Sequence, residues 1–358
     1  MLSKKIGIVN RIISSNDEID EIEVILNKNI QKAYNYKKLT GNLKLNDTVL
    51  LNTTAVELNL GTGGYHFVIA NLDNLESNFT EGGHIMKLRY TPLQIKVDAV
   101  EEQGSIYHDK INNFESLENM PVVVGTLHSM LTPFVASYKR HNKDKKVVYI
   151  MTDGASLPIS LSKTVDELKN KGLVDYTITI GNAFGGDYEC VNIYTALITT
   201  KEVLKADVVF VSMGPGIAGT GTKYGFTGIE QGAILDSIKK LNGRPIAIPR
   251  ISFSDKRKRH KGISHHSITV LSEICNVNVD IVIPIFEKEK LDYIKSQIKE
   301  NNLDKKHNII YIENNNLKGD LEYFNLKVKS MGRYYEQDRE FFDVSSSVAY
   351  YINSGGLL

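Results

Sequence analysis

The chain has 358 residues, 42% apolar and 24% charged, the composition of an ordinary globular protein of two-domain size, which excludes the disordered, collagen-like and disulfide-scaffold classes. Its 43 basic and 42 acidic residues leave a formal charge of +1, so any attraction to phosphate must be local. The two cysteines, Cys190 and Cys275, build no disulfide framework and stand in no zinc-ligand spacing.

Residues 1–13 break their apolar runs at Gly7, Asn10 and Arg11, so no signal peptide is expected. The longest apolar runs, such as 208–211, fall far short of the roughly 20 residues of a membrane span, and the expectation is a soluble, cytoplasmic protein. Segments 6–13, 21–26 and 30–36 are short and rich in β-branched or aromatic residues, 48–60 partly alternates, and 65–70 follows a glycine turn at 61–64. No clear helical period interrupts them. Residues 1–80 are therefore read as a small closed or nearly closed β domain, the form in which short strands avoid exposed edges. Residues 81–120, with IMKLRY at 85–90 and a strand-like 93–100, are either a β linker or a continuation of that domain.

From residue 121 strands alternate with helices. Runs 122–127, 147–152, 176–181, 208–213, 245–251, 281–285 and 309–312 are continuously apolar, as strands buried on both faces of a parallel sheet are. Helical stretches lie between them at 130–139, 161–170, 191–204, 228–241, 267–274 and 288–300. Thr164 and Thr227 each stand three residues before a glutamate, Glu167 and Glu230, which is capping-box spacing. The tail 330–351 reads as an amphipathic helix that offers Phe341, Phe342, Val344 and Val348 for docking. The expected fold class is α/β: a doubly wound, mostly parallel sheet over 121–358 with a helical C-terminal tail, preceded by a small N-terminal β-barrel-like domain.

In an open parallel sheet ligands bind beyond the carboxyl ends of the strands, where helix N-termini and adaptable loops meet. The successive loops there carry His128, then Asp153, then Asn182, Asp187 and Glu189, then GPGIAGTGT at 214–222, then RISFSDKRKRHKGISHH at 250–266. The loops of the opposite edge, 143–146 and 169–172, are plain lysine and glycine turns. Gly214, Gly216, Gly219, Thr220, Gly221 and Thr222 would leave backbone N–H groups free for an anion, although the pattern is no P-loop and its GxGxxG spacing contains a proline. The alternative is a crossover loop whose glycines serve tight packing.

The 250–266 loop is distinguished by arginine. Residues 244–266 hold four of the chain's nine arginines and three of its nine histidines. Arg257 and Arg259, in the company of Arg250, Asp255 and His260, can grip a phosphate or carboxylate bidentately as lysine cannot; the alternative is a solvated basic loop or an oligomer interface. Ser264 is placed to cap a helix whose first turn holds His265 and His266, kept neutral by the helix dipole and so available as general base or metal ligand. Adjacent helical residues point about 100° apart, which disfavours both histidines binding one ion. Asp153, Asp187, His265 and His266 are the candidate catalytic residues. His128, Asp153, Asp187 and Glu189 are the candidate ligands of a divalent metal ion, with turn-forming and helix-starting roles as the alternative for the acids. His84 and Arg89 read as lid residues over the sheet edge or as an ordinary turn and strand.

Several stretches stand out as a set: GHIMKLRYTPLQ at 83–94, LHS at 127–129, TDGASLP at 152–158, GNAFGGD at 181–187, the 214–222 loop and RISFSD at 250–255. Arg259-His260, Ser264-His265-His266, Met331-Gly332-Arg333, Asp338 and Phe341-Phe342 complete it. The set resembles an uncharacterised bacterial family, the domain-of-unknown-function 3866 family, from about residue 80 to the C-terminus. The resemblance implies that these loops matter and supplies no reaction; Tyr334-Tyr335 departs from its pattern.

These features lead to the expectation of an enzyme, a hydrolase or group transferase, acting on a small phosphorylated or nucleotide-like metabolite. A divalent metal ion is the one cofactor for which candidate ligands exist. The alternative is a non-catalytic nucleotide-sensing or RNA-associated protein. Against nucleic acid stand the absence of tryptophan, the near-zero charge and the lack of a basic-aromatic stripe. No membrane partner is expected, and a homo-oligomer is compatible with the basic loop.

Overall fold

In the computed structural model, which describes every residue except 77, 79, 80, 314, 315, 357 and 358, the first five strands close on themselves. They are β1 (Lys4–Ser15), β2 (Ile19–Leu26), β3 (Asn29–Tyr36), β4 (Thr48–Asn52) and β5 (Tyr65–Asn71), in the order β1-β2-β3-β5-β4. β1 pairs with β2 and also with β4, and register shifts between Val9 and Arg11 and between Ile12 and Ser14 bend it around the barrel. Alternation puts Ile22, Val24 and Leu26 inside with Val9, Ala33, Val49, Leu51 and Val68. The strand read from 48–60 stops at Asn52, whose side chain accepts from Thr54 N (3.1 Å) and starts the helical turn Thr54–Glu57. A hairpin of β6 (Ile85–Lys87) and β7 (Ile95–Val97) completes the first of two compact units, Met1–Val97 and Asp98–Leu358. The boundary expected at residue 80 falls outside the described residues.

In the second unit β8 (Pro121–Gly125), β9 (Val147–Thr152), β10 (Tyr176–Thr179), β11 (Tyr188–Glu189), β12 (Val208–Met213) and β13 (Arg244–Ile248) come first. An antiparallel pair, β14 (Ile251–Ser252) and β15 (Gly262–Ile263), precedes β16 (Asp280–Pro284) and β17 (Asn308–Ile312), and β18 (Lys329–Ser330) with β19 (Arg333–Tyr334) follows. The eight sheet strands are all parallel, in the order β11-β10-β9-β12-β8-β13-β16-β17. Every residue of β9 and β12 is buried, which is why those runs are continuously apolar. On one face the helix Leu131–His141 packs against Leu317–Tyr323 and Arg339–Asn353; elsewhere Glu230–Lys240 packs against Ile193–Glu202. A buried polar knot ties the first group together, with the Ser137 hydroxyl bonded to Asp320 Oδ2 and Ser346 Oγ (2.7 Å each) and Tyr350 OH donating to the same carboxylate.

Connections leaving β8 and β9 lead toward the β10 side, whereas those leaving β12 and β13 lead toward β16. The carboxyl ends of β8, β12 and β13 therefore surround a point where the winding reverses and the loops part to leave a crevice.

Both helix starts differ from the capping boxes read at Thr164 and Thr227. Ser162 caps the helix Lys163–Asn170 by accepting from Val165 N. Thr227 spends its oxygen on Ala218 N, and Glu230 turns to Thr152. The tail is not helical from residue 330, because Met331 and Gly332 take positive φ (46° and 81°) in the tight β18–β19 turn; the helix begins only at Arg339. Among the described residues no helix is long and apolar enough to cross a membrane.

Candidate anion site and histidine cluster

A cavity of about 720 Å³ opens in the crevice. Its walls are Thr126 and Leu127 after β8, the 217–228 loop after β12, residues 250–266 after β13, and Met331 and Arg333 of the β18–β19 hairpin. Five cationic side chains line it, Arg250, Lys256, Arg257, Arg259 and Arg333, and among the described residues Asp255 is the only lining carboxylate. The neutral chain thus concentrates positive charge at one point, where a low-dielectric wall makes each charge count for more.

That single carboxylate organises its neighbours. Asp255, its side chain 5% exposed, accepts from Arg250 Nη2 (2.7 Å), from Arg257 Nη2 (2.8 Å) and Nε (3.0 Å), and from Arg257 N (3.0 Å). The Arg257 contacts, joined by Arg250, hold its carboxyl far below the usual carboxylate range. Arg250 is buried, and its Nη1 donates to His260 Nδ1 (2.8 Å), while its Nε is buried with no partner. Arg333 is similar: Nε donates to Asp338 Oδ2 (2.8 Å), Asp338 is held by Ser252 Oγ (2.7 Å), and Arg333 Nη2 is buried and unpartnered. Two guanidiniums bordering one cavity therefore each retain an unused buried donor. Arg259 has no carboxylate partner among the described residues, and its nitrogens lie 3.9 Å from where a Cβ on Gly221 would sit.

Two amides of the glycine loop are spent inside it, Ala218 N on Thr227 Oγ1 and Thr220 N on Gly225 O, and the Thr220 and Thr222 hydroxyls bond each other (2.9 Å). Its glycines provide close approach: Gly219 faces the His266 ring at 3.6 Å from its would-be Cβ, and Gly221 (φ 80°) clears space for Arg259. Gly214 packs against Ser156 O and Met151, and Gly216 (φ 105°) makes the bend that follows.

Three imidazoles meet at this wall, and two of them, His260 and His266, line the cavity. Ser264 caps the helix that begins at His265 by accepting from His266 N, and its hydroxyl also reaches His260 Nδ1 (2.7 Å). His266 stacks on Phe226 with ring centroids 3.9 Å apart, and lies 4.1 Å from the His265 ring; His260 is 5.0 Å and 5.2 Å from the two. One nitrogen of each lies within 4.8 Å of the others, although His265 and His266 are consecutive. The third ring comes from the short turn Lys258–His260 that precedes the helix, so two neighbours on the first turn can both face it. Burial, reinforced by the arginines, pushes His260 down to about 3, His266 (where His265 also contributes) down to about 4, and His265 below its ordinary value. These shifts favour the neutral form of all three rings. Since a guanidinium only donates, His260 Nδ1 is an acceptor. Beyond Thr269 the helix widens into a π turn over Val270–Ile274.

Within the second unit, His128, Asp153, Asp187 and Glu189 are not among the residues that line this cavity. His128 is held on both nitrogens, by Tyr149 OH (3.0 Å) and Ser162 Oγ (2.6 Å), and burial drives it down to about 4. Asp187 binds Thr177 N and Oγ1 and pairs with Lys169, while Glu189 accepts from Thr179 Oγ1 and Gly185 N. Both acids thereby pin β11 to the sheet edge. Asp153 is exposed and accepts from Asn182 N (2.9 Å). His84 and Arg89 belong to the first unit, just before and just after β6.

Glu230 is the group that sequence reasoning passed over, having been read as part of a cap. It accepts from Thr152 Oγ1 (2.5 Å) beside Asp153, and burial, opposed by the Thr152 bond and aided by Asp153, raises it to about 7. A raised acid pKa means that the fold favours the proton; this stabilisation is complete below about pH 4 and is lost as pH rises through about 7. Glu230→Gln is therefore expected to match wild type near pH 4 and to exceed it by about 1–3 kcal/mol above pH 8, as measured by denaturant unfolding at both pH values. Equal stability at high pH would contradict the assignment.

Comparison with known proteins adds one match. A family model described as a protein of unknown function, DUF3866, covers residues 32–349. No curated protein matches the chain.

Proposed function

The chain belongs to this family of unknown function, and from the chemistry of its cavity we propose a hydrolase or group transferase acting on a small phosphorylated or nucleotide-like metabolite. The observation that carries the reading is the surplus of cations: among the described residues five line one cavity against a single carboxylate, and Arg250 and Arg333 each keep a buried N–H group unpartnered. An unused buried donor is costly, and an anion with several acceptor oxygens removes that cost. About 720 Å³ suits a ligand of nucleotide size. Arg257 and Arg259 grip the anion, and Arg333, fixed through Asp338, orients it. The imidazole cluster of His260, His265 and His266, two of whose rings line the cavity beside these arginines, is the group placed to position and activate the attacking water or hydroxyl. The setting proposed is the cytoplasm, with a discrete metabolite rather than a polyanion as ligand.

Thermal-shift screening of inorganic phosphate, nucleotides and sugar phosphates, followed by turnover assays on the hits, tests the proposal. The expected result is stabilisation by phosphate-bearing ligands that are then consumed. Stabilisation without consumption would favour the second reading, a nucleotide sensor, and no stabilisation by any phosphate-bearing ligand would overturn both.

A further inference from the structure

We propose that His260, His265 and His266 form a site for one divalent transition-metal ion of the zinc class, with its remaining coordination position open to the cavity. Their nitrogens lie within 4.8 Å of one another. Zinc–nitrogen bonds of about 2.0–2.1 Å place ligand nitrogens about 3.3 Å apart in a tetrahedron, so modest inward ring movement completes the set. The donors are all imidazole nitrogens. That composition selects zinc-class ions over magnesium or calcium, which require oxygen, and three ligands with one open position is the pattern of catalytic rather than structural zinc.

Two details of the wall support the assignment. His265 Nε2 is buried without a hydrogen-bond partner, a state that a bound ion relieves. Ser264 Oγ stands 2.7 Å from His260 Nδ1, where it can accept a hydrogen bond when that nitrogen carries the ring proton, and so orient the ring. Coordination through His260 Nε2 shifts the ring proton to Nδ1, where it donates to Ser264. Arg250 Nη1, which now donates to Nδ1 (2.8 Å), is thereby released toward the cavity. The nearby arginines repel a cation, so the ion and an anion bound beside it are expected to strengthen each other's binding, and by equal factors.

The inference depends on the proposed function only for the anion coupling; the ion site itself rests on the three rings. The full chain, stripped with a chelator, is titrated with Zn²⁺ and with Co²⁺ by calorimetry and visible absorption, with inorganic phosphate titrated separately. Expected are one equivalent of metal, the intense absorption of tetrahedral cobalt, tighter zinc binding when phosphate is present, and losses of about 100-fold or more in His260→Ala and His265→Ala, since even outer partners of metal ligands are worth 10–100-fold. A wild-type chain that binds no zinc, or zinc affinity unchanged in both variants, would overturn the proposal. Because the wild-type titration alone can do this, misfolding of a variant cannot shield it. Phosphate binding without zinc binding removes the metal site and leaves the proposed function. Zinc binding without phosphate binding does the reverse.

Discussion

Replacing Arg257 and Arg259 together by alanine is expected to weaken the binding of phosphate-bearing ligands by about 100- to 10,000-fold, as measured by calorimetry. Each charge-assisted contact to an anion is worth about 1.5–3 kcal/mol, and two of them sum to about two to four decades in affinity. The fold should tolerate the change. Arg259 has no carboxylate partner among the described residues, and Arg257 is half-exposed and shares Asp255 with Arg250, which remains. Arg259→Lys keeps the charge but loses the planar fork, so it should fall between wild type and alanine. Unchanged affinity in the double variant would sink the anion assignment, because among the described residues Arg257 and Arg259 are the exposed arginines that line the cavity.

Asp338→Ala should be the most destabilising single change near the cavity. The carboxylate is 1% exposed and joins Ser252 Oγ to Arg333 Nε, so its removal strands a guanidinium that already has one buried donor unused. Breaking a buried pair from one side costs about 3–5 kcal/mol, or about 6–20 °C in the thermal midpoint for a unit of this size. Burial pushes the Asp338 carboxyl above its ordinary range in spite of Arg333, so the site tolerates a neutral group, and Asp338→Asn should be clearly milder. Thermal denaturation of both variants checks the order. A similar loss in each would show that charge, rather than the two hydrogen bonds, holds the tail.

What could be read from the sequence depended on whether the signal was local. Residues 208–213 announce a strand buried on both faces because burial itself demands the apolar run, and the parallel α/β class follows from several such runs. β11, two residues long, exists because Asp187 and Glu189 are bonded to β10 threonines, and no periodicity records that. The clustering of arginine and histidine over 244–266 was legible as composition. Its separation from Asp153, Asp187 and Glu189 was not, because all these loops share one sheet edge and only strand order, β10-β9-β12-β8-β13, distributes them along it. Arg333 escaped as a cavity residue because it arrives on a hairpin hidden within an amphipathic pattern. Glu230 escaped because a glutamate three residues after a threonine fits a cap equally well, and the rival partner, Thr152, is far away in sequence.

The reach of the cavity wall along the chain, from Thr126 to Arg333, has a consequence for synthesis. A nascent chain that has delivered β8 through β17 from the ribosome has its whole parallel sheet and the glycine loop, yet it still lacks Arg333, the Asp338–Ser252 tie and the helix Arg339–Asn353 that buries Phe341 and Phe342. The cavity is therefore among the last features of this unit to assemble. Products that stop before that hairpin carry every histidine of the cluster and four of the five cavity cations, but without a wall to oppose them. Chains that stop before the hairpin should bind phosphate-bearing ligands more weakly than chains that carry it, since Arg333 and its support are missing.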